Sequence, residues 1–432
     1  MRDLIFLIVW AGSLPIIFFR PWTGVLVWSW IGYMNPHMLG WGMVRSLPVA
    51  MAVGLVTIVA LVFTRDRKGV PWTAEMILLV LLAIHFTVTT YFAWAPEAAW
   101  MQWDKVMKVL LFTFITTMLI FGRFRIHALL LVIALSIGFY GFKGGLFSLL
   151  TGGAHRVYGP GASFIGDNNS LGLAMIMILP MLFFLGREEP RKWLRNGLYV
   201  VAAFTVIAIV FTYSRGALLG LACISLFLFL KTKRKLFFVV LILPILMIGV
   251  QFIPEAVFER AGTIRTYEED ASAMGRIQAW GAALNIANTH PFTGGGFENF
   301  RAPEIWAIFA DPDHYFGGVV PRATHSIYFD VLGHHGWVGF IIFVSIIIVT
   351  MLRSISLQKI SKKYEDLNYI GNYALCIQLA LIGYMTTGAF LSLAYFDLFY
   401  ALVALSAILQ REVNEKLSRE KVMNNIQNCI KI

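Results

Sequence analysis

The chain reads as an all-α polytopic membrane protein of about twelve transmembrane helices with one large external loop domain. Three observations lead there. Of its 432 residues 58% are apolar and only 14% charged, with a mean hydropathy of +0.73, a balance outside the range of soluble domains. Apolar runs of roughly the ~20 residues needed to cross a ~30 Å hydrocarbon core recur along its length. Basic linkers alternate with loops poorer in lysine and arginine, the positive-inside pattern. The formal net charge of +11 is therefore a topology signal, and no nucleic-acid partner is expected.

The first apolar segment, about 4–19, runs on without a small-x-small cleavage site, so no cleavable signal peptide is expected. Segments at 22–34 and 46–63 follow, but Pro21, Pro36, Gly40 and Gly42 interrupt 20–45. With Arg2 inside, that stretch reads as a shallow or re-entrant piece, its irregular backbone buried in protein or facing water, and two crossings precede residue 64. Further apolar segments fall at 72–92, 105–121, 126–148, 168–186, 197–213, 216–230, 236–253, 326–352, 369–390 and 394–410. The linkers Arg65/Arg67/Lys68, Arg123/Arg125, Arg187/Arg191/Lys192/Arg195, Lys231/Lys233/Arg234/Lys235 and Arg353/Lys359/Lys362/Lys363 are all placed inside. The loops 93–104, 149–167, 213–216, 254–324 and 391–393 then lie outside. Tryptophans and tyrosines near segment ends suit the interfacial belt.

The expected division is N-terminal transmembrane helices over 1–253, the loop domain at 254–324, C-terminal transmembrane helices over 325–410 and an inner tail at 411–432. Within the loop, residues 273–287 read as an amphipathic helix with Ile277 and Trp280 on one face, ended by Pro291 and Gly294–Gly296. Cys223 and Cys376 lie in apolar segments and Cys429 in the tail, so the loop is not disulfide-stapled.

The outer side collects the polar groups that carry chemistry. His325 stands where the loop re-enters the membrane, and imidazole titrates near neutrality. Arg215 occupies an external turn, Thr212-Tyr213-Ser214-Arg215-Gly216, where an arginine is either an interfacial snorkel or an anion clamp. Arg265, Arg276, Arg301 and Arg322 lie in the loop; Lys143 sits inside an apolar run, and His155 and Arg156 lie in a glycine-rich loop. A lysine in such a run either snorkels or serves function. The acids Glu255, Glu259, Glu268, Glu269, Asp270, Asp311 and Asp313 read as partners of these arginines. Asp167-Asn168-Asn169 can cap the next helix. Gly294-Gly295-Gly296 follows no strand and is no nucleotide loop. His325, His334 and His335 lack helical metal-pair spacing and have no cysteine nearby, so no metal and no cofactor are expected.

In their order these features resemble the O-antigen ligase superfamily of ligases, polymerases and protein O-oligosaccharyltransferases. The likeness rests on four pieces. They are Gly166-Asp167-Asn168-Asn169 before a segment with Pro180; Tyr213-Ser214-Arg215-Gly216-Ala217; Gly275-Arg276-Ile277 with Trp280, then Pro291-Phe292, Gly294, Gly296 and Phe300; and His325-Ser326 with Tyr328, Gly336 and Gly339. Met34-Asn35-Pro36-His37 and Trp41-Gly42 look like an exosortase-associated O-glycosylation ligase subgroup. The resemblance implies that the outer side is the periplasm of a bacterial inner membrane. It also implies en bloc transfer of a glycan from undecaprenyl pyrophosphate to lipid A-core, with membrane lipids as the remaining partner. Cations near the outer interface would stabilise the departing pyrophosphate: Arg215 first, then Arg276, with Lys143 and Arg156 in support. His325 would be the base, with Asn169, Tyr213, Ser214, His334 and His335 supporting. Metal-independent, inverting displacement is expected. The alternatives are polymerisation of O-antigen, protein glycosylation from the same donor, or, without an enzyme activity, transport.

Overall fold

The computed structural model describes residues 2–161, 163–231, 271–310 and 321–430, all helix, turn or irregular, with no strand among them. Helices α1 (Arg2–Phe19), α2 (Trp22–Met34) and α3 (Val49–Phe63) form an N-terminal trio closed over Phe6, Ile17, Ile31, Val44, Val49 and Val53. The connection from α2 to α3 is two 3-10 turns, Pro36–Leu39 and Met43–Ser46. Asp3 pins it, its carboxylate accepting the N–H groups of Trp41 (3.1 Å) and Gly42 (3.0 Å). Next come α4 (Ala74–Tyr91), α5 (Pro96–Leu119), α6 (Gly122–Leu150), α7 (Asn168–Glu188), α8 (Lys192–Phe211) and α9 (Arg215–Lys231). After the loop segments α10 (Ala271–Thr289) and α11 (Pro303–Phe309), the chain ends in α12 (Ile327–Ser361), α13 (Asn368–Gly388) and α14 (Asp397–Ile430).

The expected count of about twelve crossings is corrected. Among the described residues six helices are long and apolar enough to span: Arg2–Phe19, Ala74–Tyr91, Gly122–Leu150, Asn168–Glu188, Lys192–Phe211 and Ile327–Ser361. The physical reasons are legible. At 1.5 Å per residue, the 15 residues of α3 reach only about 22 Å. The first thirteen residues of α5 carry Glu97, Asp104, Lys105 and Lys108. In α13, Asn372, Tyr373, Gln378, Tyr384 and Thr387 lower the hydropathy, and most of the helix is buried in the bundle, where polar groups find partners instead of lipid. The expected crossing at 236–253 lies outside the described residues.

In the described part of the loop, α10 packs directly on α12, and a small core of Ala279, Ala282, Ile286, Trp306 and Ala310 joins it to Trp94 before α5. The helix expected over 273–287 spans Ala271–Thr289. Its buried face runs through Gln278, Ala279, Ala282, Ala283, Ile286 and Ala287, leaving Ile277 exposed.

Contacts sort the helix ends into two groups. At one end Lys68 pairs with Glu415 (2.5 Å), Arg125 with Asp66 (2.5 Å), Arg123 with Glu188 (3.0 Å) and Arg353 with buried Glu75 (3.0 Å). Lys231 there reaches Gln358 and Gln378 at the end of α12 and on α13. Exposed pairs contribute about 0–1 kcal/mol each, so what most of these establish is position. The other end gathers the starts of α7, α9, α12 and α14 and the ends of α4, α6, α8 and α13. Arg2 belongs to this second end, against expectation. Trp22 packs beside Arg125 at the basic end, whereas the Met34 carbonyl accepts the Tyr140 hydroxyl near the far end of α6. Helix α2 thus runs from the basic end to the other, and the expected shallow piece over 20–45 is a hairpin arm followed by the 3-10 turns.

A break in α12 is closed by the loop. Gly336 sits at φ 64°, ψ −170°, a conformation open essentially to glycine alone, and it frees carbonyls of the preceding turn. Gly295 and Gly296 donate their N–H groups to the carbonyls of Gly333 (3.0 Å) and His334 (2.9 Å). The Asn299 side chain donates to Gly333 (2.8 Å) and His85 Nε2 to His335 (3.0 Å). A Cβ at Gly294 would strike this same backbone, which is why the run is glycine. The Gly294–Gly296 stretch is a strap that satisfies a broken membrane helix.

Candidate active site

Two polar turns meet at the end opposite the basic pairs. The first joins α8 to α9. Asn168 Nδ2 donates to the Thr212 carbonyl (2.8 Å), Tyr213 adopts a left-handed φ of 54°, and its hydroxyl donates to the Gly153 carbonyl (2.5 Å). Ser214 caps α9, its Oγ accepting the Ala217 N–H (3.3 Å). Arg215 is then the first residue of α9, exposed and without an ion pair among the described residues. A cation at a helix N-terminus opposes the macrodipole, so helix stability does not account for it. Arg156 lies near enough for its charge to act on the Tyr213 hydroxyl, which burial raises and Arg156 lowers.

The second turn enters α12. His325 has a left-handed φ of 47°, an uncommon geometry for a residue with a side chain. Its N–H donates to Ser392 Oγ (3.0 Å) in the α13–α14 connection. The Ser392 hydroxyl donates to Asp330 Oδ1 (3.2 Å), and the Thr324 hydroxyl donates to the same oxygen (2.5 Å). From α10, Trp280 Nε1 donates to the Thr324 carbonyl (2.7 Å) while its ring stacks on Phe329 (5.1 Å). The imidazole is exposed on one side and faces charge on the other. Burial first, then Arg276, push its pKa below the usual value; Asp167 opposes and Arg322 adds to the fall. Arg322 packs over Gly275, where a Cβ would overlap its guanidinium. Asp167 links the turns, because it also caps α7 by accepting the N–H groups of Asn169 (2.8 Å) and Ser170 (3.0 Å).

The structure therefore brings Arg276, Arg322 and Asp167 within electrostatic reach of His325, and Asn168, next to Asp167, ties this turn to the Arg215 turn. The remaining expected residues lie elsewhere. Lys143 is exposed on α6, roughly 150° around the helix from the Gly141/Gly144/Gly145 stripe that packs towards α8. His155 stacks on Phe147, and Arg301 pairs with Glu298 (2.9 Å). Arg265 and all seven acids expected to pair with the arginines fall outside the described residues.

His334 and His335 are buried about 12 Å further along α12, by helical rise. Thr89 donates to the Phe86 carbonyl, so His335 Nδ1 donates to Thr89 Oγ1 (2.6 Å) and its Nε2 accepts from the Tyr395 hydroxyl (3.0 Å). The Tyr395 oxygen then accepts from His334 Nδ1 (2.9 Å). Phe86 and Phe297 cover the His335 ring. Both nitrogens of His335 are committed to structure. Among the described residues no group of three or more His, Cys, Asp or Glu side chains is placed to hold a metal ion.

Sequence reasoning passed over Asp330, Thr324 and Ser392. Asp330 carried a usable signal, since an acid inside an apolar segment is a functional candidate by default. Nothing local announced Ser392, which lies 62 residues away from Asp330 in sequence.

Residues 198–344 match the family described as O-Antigen ligase, and residues 1–190 match a family of unknown function (DUF5935). The first match contains Arg215, Arg276, His325 and Asp330; Lys143, Arg156 and Asn169 lie in the second. No curated protein matches the chain. Part of this polytopic membrane protein is thus similar to O-antigen ligases, and that similarity points to a ligase-type enzyme.

Proposed function

We propose that the protein is an inner-membrane glycosyltransferase of O-antigen ligase type. It moves a glycan en bloc from undecaprenyl pyrophosphate to a hydroxyl of lipid A-core. His325 takes the proton of the acceptor hydroxyl as its oxygen attacks the anomeric carbon. The bond from that carbon to the pyrophosphate oxygen breaks, the configuration inverts, and the leaving group departs with its negative charge. Arg215 and Arg276 receive that charge, the planar guanidinium matching paired phosphate oxygens. Arg156 lies close enough to assist, and Lys143 takes no part. The observation that carries the reading is the placement of His325 within reach of the charges of Arg276 and Arg322, at the same end as Arg215, which makes no ion pair among the described residues.

In this reading the site end faces the periplasm. What supports it is the gathering of the basic linkers at the opposite end, as the positive-inside rule requires of the cytoplasmic side. A cysteine at 276 should react with a membrane-impermeant maleimide in cells with a permeabilised outer membrane. One at 187 should react only after the inner membrane is breached. The reverse pattern overturns the orientation.

The activity is tested by reconstituting purified protein with lipid-linked glycan and offering three acceptors separately. Transfer to lipid A-core is expected. Transfer only to a second lipid-linked glycan makes the protein a polymerase, transfer only to protein makes it an oligosaccharyltransferase, and transfer to none removes the proposal.

A further inference from the structure

Asp330 is an acid in the first turn of an apolar helix, and burying a carboxylate there is costly unless its oxygens are used. Its Oδ1 is used twice, and neither partner belongs to α12. Thr324 precedes His325 directly, and Ser392 accepts the His325 N–H. The helix itself gains little from this arrangement, whose hydrogen bonds converge on the residue before His325 and on the His325 amide. His325 also holds a left-handed backbone, which is unfavourable for a residue with a Cβ and needs outside support.

We infer that Asp330 is a positioning residue: through the Ser392 and Thr324 hydroxyls it holds the His325 backbone in the left-handed turn that aims the imidazole at the reacting hydroxyl. The relay is complete in donors and acceptors. The His325 N–H donates to Ser392, the Ser392 hydroxyl donates to Asp330, and the Thr324 hydroxyl donates to the same carboxylate oxygen. Trp280 of α10 holds the Thr324 carbonyl from the other side, so three separate elements clamp one peptide. Asp330 makes no hydrogen bond to the imidazole, and its effect on chemistry passes through His325. The inference rests on the proposed role of His325 as base, but the geometry can be read without any transfer assay.

The test compares Asp330→Leu, Asp330→Asn and Ser392→Ala in reconstituted full-length protein, with thermal unfolding to confirm that each is folded. A base displaced by about 1 Å loses on the order of 10²-fold in rate. Asp330→Leu and Ser392→Ala should therefore lower kcat by about that factor while the donor KM changes little. Asp330→Asn keeps a carbonyl acceptor for both hydroxyls and should restore most of the rate. In a His325→Ala background Asp330→Leu should add almost nothing, because the two residues act through one group. An equal loss in both backgrounds, or wild-type kcat in Asp330→Leu, overturns the inference.

A second measurement does not depend on activity. The His325 titration, followed by NMR of histidine-labelled protein in nanodiscs, should move up towards the free imidazole value in Asp330→Leu. There the ring leaves the charges that face it, which are Arg276 on α10, Arg322 before α12 and Asp167 at the cap of α7. It should stay in place in Asp330→Asn. If wild-type protein transfers no glycan, the proposed function falls while this titration still decides the positioning. If wild-type transfers and the titration ignores Asp330→Leu, the positioning falls alone.

Discussion

His325→Ala slows glycan transfer by roughly 10²–10⁴-fold, the usual cost of losing a general base, while binding of a lipid pyrophosphate analogue stays near the wild-type level. The separation follows from geometry, since the imidazole is assigned to the acceptor hydroxyl and the pyrophosphate to the arginines. The pH profile gives a second signature. Burial and the neighbouring Arg276 hold the His325 pKa below the usual ~6.5, so the neutral, proton-accepting form persists throughout the neutral range. Activity should be flat near pH 7 and fall only on acidification through that lowered pKa. The acid limb should disappear in His325→Gln, leaving a low, pH-insensitive rate. Transfer at the wild-type rate by His325→Ala places the base elsewhere. His335 is then a poor successor, because both of its nitrogens are engaged by Thr89 and Tyr395.

Arg215→Ala shows a different pattern: weaker binding of the pyrophosphate analogue together with a fall in kcat of about 10²–10³-fold, the range for removing one preorganised group from a developing negative charge. Arg215→Lys recovers only part of this, since the ammonium keeps the charge and loses the fork. Capping explains why little else should change. Ser214 Oγ supplies the hydrogen bond that starts α9, and Arg215 makes no ion pair among the described residues. The protein should therefore unfold at an unchanged temperature. Isothermal titration with the analogue and single-turnover transfer kinetics separate the two losses. Unaltered binding and rate would make Arg215 an interfacial snorkel, the other reading of an arginine at that depth.

The all-helical membrane class, the segregation of basic linkers from the polar loops and the common side of His325, Arg276 and Arg215 are legible in the chain alone. These properties are local or periodic. A linker's charge, the length of an apolar run and a glycine or proline break are each visible within twenty residues. Packing sets the direction of α2, which of the described helices are built to span, and the surroundings of His325. Hydropathy cannot tell a helix facing lipid from one facing other helices, so the polar, buried α13 and the short α3 were counted as crossings, while α2 was read as a shallow piece. Arg2 was misplaced for a related reason: one charge near the start says little about orientation until the α1–α2 hairpin fixes it. Lys143 and Arg156 share the same outer region of sequence, but helix rotation leaves Lys143 exposed opposite the glycine stripe that faces α8, while the loop leaves Arg156 within electrostatic reach of Tyr213. The clamp on His325 joins residues 324, 330 and 392, and the bed of His335 joins residues 89, 335 and 395. Hydrogen bonds over such separations follow from helix packing, which no local pattern of the chain encodes.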